Sequence, residues 1–76
     1  MHPNRTHDPG LVRLWRVKAG LNLDTAAARA GWSKSHLSNV ERGKKGASVE
    51  KLARLAKAYG CEVFDFVPVA QRRGIT

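Results

Sequence analysis

Eight basic residues, Arg29, Lys34, Arg42, Lys44, Lys45, Lys51, Arg54 and Lys57, stand against only two acids, Glu41 and Glu50, between Arg29 and Lys57. That stretch carries six of the eight net positive charges of a 76-residue chain whose sequence pI is about 10.6. Cations at this density attract a polyanion. Groups suited to catalysis are sparse by comparison. His2, His7, His36 and the single Cys61 show no metal-ligand spacing. No nucleophile–base arrangement or glycine-rich phosphate loop can be named, and so short a chain has little volume for a substrate cavity. The expectation is a binding module, with no cofactor and no metal, and not an enzyme.

One cysteine cannot close an intramolecular disulfide, which points to a reducing cytoplasm. No apolar run approaches the roughly 20 residues that span a bilayer, and the opening MHPNRTHDPG lacks the apolar stretch of a signal peptide. A soluble cytoplasmic protein with no membrane partner is therefore expected. Domains of this size are marginal alone and often gain stability by pairing, so a homodimer is expected too.

The elements that must position the cations can be read from helix punctuation. Prolines occur only at Pro3, Pro9 and Pro68, which leaves Gly10 to Val67 free of the strongest helix breaker. This gives one domain over residues 8–67, flanked by a flexible arm, 1–7, and a flexible tail, 68–76. Asp8 can cap a first helix with Pro9 in its first turn and Gly20 at its end; Leu11, Val12, Trp15 and Ala19 make its inward face, and Leu14 fits neither face. Asn22 can cap a second helix, Leu23 to about Ala30, closed by Gly31. Ser33 can cap a third, Lys34 to about Arg42. Ser48 can cap a fourth, ending at Gly60, with Val49, Leu52, Leu55, Ala56 and Tyr59 as its apolar stripe. The segment 61–67 suits either a short helix, with Val63 and Phe66 inward and Phe64 outward, or an extended strand. The fold class is all-α, a compact bundle of four to five short helices.

Within it, Ala27, Gly31, Leu37 and Val40 stand at offsets of 4, 6 and 3. Two short helices crossing at a tight turn need a small residue on the first, which Ala27 supplies, and a turn residue, which is Gly31. Leu37 and Val40 then anchor the second helix from beneath, leaving Lys34, Ser35, Ser38 and Asn39 facing out. A rigid exposed helix of this kind can enter a major groove.

From Leu11 to Val67, about three quarters of the chain, the sequence resembles the phage-repressor-like helix-turn-helix DNA-binding domains of the Cro/repressor, xenobiotic-response-element type, with their lambda-repressor-like fold. The likeness is carried by Arg16 before Gly20-Leu21-Asn22, by Ala26-Ala27 and Gly31-Trp32-Ser33, and by the run Leu37 to Lys44. Ser48-Val49-Glu50, Leu52 and Leu55 to Gly60 extend it through the fourth helix. Three positions depart from the pattern. Leu23 replaces a polar residue that touches a phosphate. Ala26 replaces a leucine, a loss of about 2–3 kcal/mol unless Trp15 or Trp32 fills the space. Ala47 replaces a proline.

The resemblance implies a DNA-binding transcriptional regulator, a repressor by preference, that binds palindromic duplex DNA as a homodimer. It implies that Lys34, Ser35, Ser38 and Asn39 read base edges, lysine suiting guanine and asparagine suiting adenine, with Ser35, Ser38 and His36 open to plain solvation instead. Arg42, Lys44 and Lys45 would meet the phosphates, as would Arg16, which the resemblance also pairs with Glu41 between the first and third helices. Arg5 and Arg13 could add contacts. The dimer interface is expected around Tyr59, Phe64 and Val67. The rival reading is an antitoxin-like or adaptor protein that acts by binding a protein partner.

Overall fold

Each of the four α-helices starts where a side chain accepts hydrogen bonds from otherwise unsatisfied backbone amides. The computed structural model describes residues 7–68. Helix α1 spans Pro9–Lys18, and the Asp8 carboxylate accepts from the N–H of Gly10 at 2.7 Å. Helix α2 spans Leu23–Ala30, where Asn22 accepts from Thr25 N–H at 2.8 Å. Helix α3 spans Lys34–Glu41, where the Ser33 hydroxyl accepts from His36 N–H at 3.0 Å. Helix α4 spans Val49–Tyr59, where Ser48 accepts from Lys51 N–H at 3.2 Å. The chain leaves α2 and α4 through Gly31 and Gly60, both left-handed with φ of 75° and 74°, the usual exit for a residue without Cβ.

The segment after Gly60 is a single turn of 3-10 helix, Val63–Phe66, followed by extended Val67. Its Phe66 is fully buried and meets the Tyr59 ring edge-on at 6.1 Å. The Phe66 carbonyl accepts from Asp8 N–H at 2.8 Å, which ties this turn to the start of α1. Helix α2 lies at the centre, packed on α4 and α3, while α1 packs on α3 and the 3-10 turn. The core draws on all of them: Val12 from α1, Ala26, Ala27 and Ala30 from α2, Leu37 and Val40 from α3, and Leu52, Leu55 and Ala56 from α4. No strand occurs among the described residues, and the bundle is all-α as expected.

Several side chains sit differently from the sequence expectation. Ala19 is exposed, because α1 ends at Lys18 and Ala19 only caps it. Helix α3 stops at Glu41, with Arg42 outside as its cap residue. Val49 is 61 % exposed, since it opens α4 and the buried stripe begins one turn later at Leu52. Leu14 points outward, 49 % exposed. His7 is buried, so the packed region starts one residue before the expected boundary at residue 8. The remainder of the expected arm and tail, 1–6 and 69–76, lies outside the described residues.

Gly31 closes the turn on which the α2–α3 crossing depends. A Cβ built there would meet nothing within 4 Å, so only the backbone conformation opposes substitution. Gly31→Ala should therefore lower the free energy of unfolding by about 1–2 kcal/mol, with Gly31→Asn losing less, as read by urea denaturation. Equal losses for the two variants would indicate packing and not backbone strain.

Candidate nucleic-acid interface

Helix α3 has a dry side and a wet one. Leu37 and Val40 are fully buried, whereas Lys34 and Ser35 are exposed and Ser38 and Asn39 half-buried. The next turn folds back onto this helix: the Asn39 carbonyl accepts from Lys44 N–H at 2.9 Å and from Lys45 N–H at 3.3 Å. Backbone bonds thus hold the exposed cations Arg42, Lys44 and Lys45 beside the polar side chains of α3. The result is one surface carrying hydrogen-bonding groups flanked by positive charge. Of the further basic residues, Arg13 is exposed on α1, and Arg5 lies outside the described residues.

What fixes α3 against α1 is Arg16. Its Nε donates to Glu41 Oε2 at 2.7 Å and its Nη2 to Oε1 at 3.1 Å, while Nη1 donates to the Leu21 carbonyl at 2.8 Å. The two side chains are only 12 % and 6 % exposed. The hydrogen bond to Glu41 also raises the guanidinium pKa further. A fork-shaped, nearly buried pair of this kind fixes orientation as well as distance. The expected phosphate contact of Arg16 would have to be made from a side chain that is already paired and largely covered. The expected pairing with Glu41 is present.

Two features of α3 escape inspection of the sequence. Lys34 Nζ lies 3.5 Å from Asp24 Oδ1 in the first turn of α2, both side chains being well exposed. Such exposed pairs contribute about 0–1 kcal/mol to stability. His36 faces the scaffold, its ring 4.7 Å from that of buried Trp32. Its Nε2 is buried without a hydrogen-bond partner among the described residues. Burial, helped by Lys51 and Lys45, holds its pKa below the ordinary value. His36 thus packs against the scaffold through its ring. Trp32 and His36 are only four residues apart, whereas Asp24 and Lys34 meet only because α2 and α3 cross.

Of the three residues expected at a dimer interface, Phe64 is 43 % exposed, but Tyr59 and Val67 are buried at 7 % each within their own chain. Tyr59 belongs to the core beside Phe66, and its burial raises the phenol pKa. The Leu23 side chain packs against the core and offers no phosphate donor, which leaves only the backbone amides of that helix end. Trp32 belongs to the cluster that contains fully buried Ala26 and Trp15 packs against it, in keeping with aromatic compensation at that position. Burial pushes the Cys61 thiol up to about 11, leaving it protonated at neutral pH. No group of three or more His, Cys, Asp or Glu able to hold a metal ion occurs among the described residues, and none of the described helices is long and apolar enough to cross a membrane.

The model of the helix-turn-helix family matches residues 12–66. The chain is 40% identical over 56 residues to an uncharacterized HTH-type transcriptional regulator, y4dJ, of Sinorhizobium fredii, covering 74% of this chain and 71% of that protein. It is 39% identical over 56 residues to the HTH-type transcriptional regulator DdrOP3 of Deinococcus deserti, covering 74% of this chain but only 43% of that longer protein. Among solved structures, the restriction-modification controller protein C.AhdI from Aeromonas hydrophila superposes with a TM-score of 0.73 at 29% identity, covering 76% of this chain and 88% of that one.

Removing one partner of the Arg16–Glu41 pair strands the other in a nearly buried site. Arg16→Met should lower unfolding free energy by about 3 kcal/mol, and adding Glu41→Leu should restore more than half of it. A double variant no more stable than the single one would show that the guanidinium acts mainly through Leu21. A separate outcome concerns pH. The unfolded chain protonates His36 at its ordinary value of 6.5 while the folded chain resists, so this contribution is complete above 6.5 and declines as pH falls through it. Thermal unfolding between neutral pH and about pH 5 should show a smaller acid loss for His36→Phe than for the unaltered chain.

Proposed function

The chain belongs to the helix-turn-helix family, and from that membership we propose that it is a sequence-specific, DNA-binding transcriptional regulator that represses by occupying its operator. In this reading α3 enters the major groove, where Lys34 donates to guanine O6 and N7, Asn39 pairs with adenine, and Ser35 and Ser38 donate or accept at neighbouring base edges. Arg42, Lys44 and Lys45 neutralise phosphates and supply affinity without sequence preference. Two protomers bind together, their α3 helices about 34 Å apart in successive major grooves, so the operator is an imperfect palindrome. Exposed Phe64 contributes to the contact between protomers. The observation that supports this reading best is the division of α3: Leu37 and Val40 wholly buried, Lys34 and Ser35 wet, and three cations bonded back against its end.

Selection of bound duplexes from a random pool, followed by titration across salt concentrations, tests the proposal. The expected outcome is a palindromic consensus with steep salt dependence. Asn39→Ala should relax preference at one position per half-site by about 1–3 kcal/mol, whereas Lys44→Ala should weaken all duplexes alike and reduce the salt slope by about one. Phe64→Glu should shift the sedimenting species toward monomer. A protein indifferent to duplex DNA in dilute buffer would overturn the proposal.

A further inference from the structure

The geometry points to Asp24 as the residue that makes Lys34 a selective guanine reader instead of a general phosphate binder, an inference that rests on the DNA-reading function proposed above. A lysine ammonium is a point charge on a flexible stem, attracted to any phosphate within reach. Here its Nζ is drawn to Asp24 Oδ1, 3.5 Å away across the α2–α3 crossing. The ammonium has three donors. With one turned toward Asp24, two would remain, the number that guanine O6 and N7 accept in the major groove. Lys34 opens α3 and Asp24 lies in the first turn of α2, so the carboxylate restrains the ammonium at the leading end of the recognition helix.

The carboxylate has a second effect. A helix N-terminus favours an anion, and the start of α2 would otherwise suit a phosphate. Asp24 already places a negative charge there, and the side chain of neighbouring Leu23 has no donor with which to recruit another. Other acids serve the scaffold: Asp8 caps α1, Glu41 holds Arg16, and Asp65 accepts from Glu62 N–H. The Asp24 side chain is 71 % exposed and lies against a lysine that is itself 59 % exposed. A carboxylate on a DNA-facing surface penalises every duplex through phosphate repulsion. Only a duplex that engages Lys34 at a base edge offsets that penalty, which is how a repulsive group improves discrimination.

The test uses the full chain, the duplex selected by the unaltered protein, and a scrambled duplex of equal length. Asp24→Asn should bind the scrambled duplex about threefold to tenfold more tightly and steepen the salt slope by about one. It should also reduce guanine preference about tenfold at the half-site position that Lys34→Met abolishes, leaving other positions unchanged. In the Lys34→Met background Asp24→Asn should cause no further loss of preference, and Asp24→Glu should recover part of it. If Asp24→Asn keeps the guanine preference, or loses preference equally at all positions, the inference fails while the DNA-reading function stands. If the unaltered protein shows no preference at all, that function fails first and the inference falls with it.

Discussion

A helix of eight residues is not stable by itself in water, so α3 has a defined shape and attitude only through its attachments. Three are available. Ser33 and the left-handed turn at Gly31 fix where it begins, Leu37 and Val40 fix which side faces the core, and the Arg16–Glu41 pair fixes its far end against α1. The last has a different character from the others. Burial of leucine and valine is non-directional and tolerates small rotations, whereas a guanidinium bonded in parallel to both carboxylate oxygens, with a third bond to Leu21, does not. A nearly buried ion pair adds little net stability over a hydrophobic pair. Its contribution is angular, holding the wet face of α3 at one inclination to the bundle.

That constraint allows attraction and selection to reside in different residues. Along α3 itself the positive charge is muted: Lys34 lies beside Asp24, and His36 stays largely neutral against Trp32. Just beyond the helix lie Arg42, Lys44 and Lys45, in no ion pair among the described residues, two of them bonded through their amides to Asn39. Under the proposed function, the cations of the turn hold the protein to any duplex, and the helix pressed into the groove is poor in indiscriminate charge. Selectivity is a difference between affinities, and it grows when the groups that read bases do not also bind phosphate.

The punctuation of this fold was legible because it is local. Asp8, Asn22, Ser33 and Ser48 each cap within three residues, and Gly31 and Gly60 each close a helix through their own backbone. Leu37 and Val40 were legible by their spacing. Periodicity, however, describes a helix's own wheel and not what covers it: Val49 and Ala19 fit the apolar pattern yet are exposed at helix ends, and Tyr59, which fits both the apolar stripe and an interface, is covered by its own chain, as is Val67. The Arg16–Glu41 pair came from the family resemblance, since 25 residues of sequence separate its members. Asp24 and Lys34 stayed hidden for the same reason, being neighbours only after α2 and α3 have crossed.

The crossing itself rests on small side chains. Ala26, Ala27 and Ala30 are all buried on an eight-residue helix, and α2 packs on both α3 and α4. Alanine adds little apolar area, so α2 gains less from burial than a leucine-rich helix would, but it lets two neighbours approach its backbone closely. The apolar area is supplied by residues adjoining the crossing, with Trp32 in the turn and Leu52, Leu55 and Phe66 from the far side. Trp32 also supports the His36 ring and hence one flank of α3. Close approach brings Asp24 within reach of Lys34, so the geometry that makes the core compact also sets the electrostatics of the exposed surface. A bulkier residue at Ala27 would act on both at once, separating α2 from α3 in the interior and opening the ion pair outside.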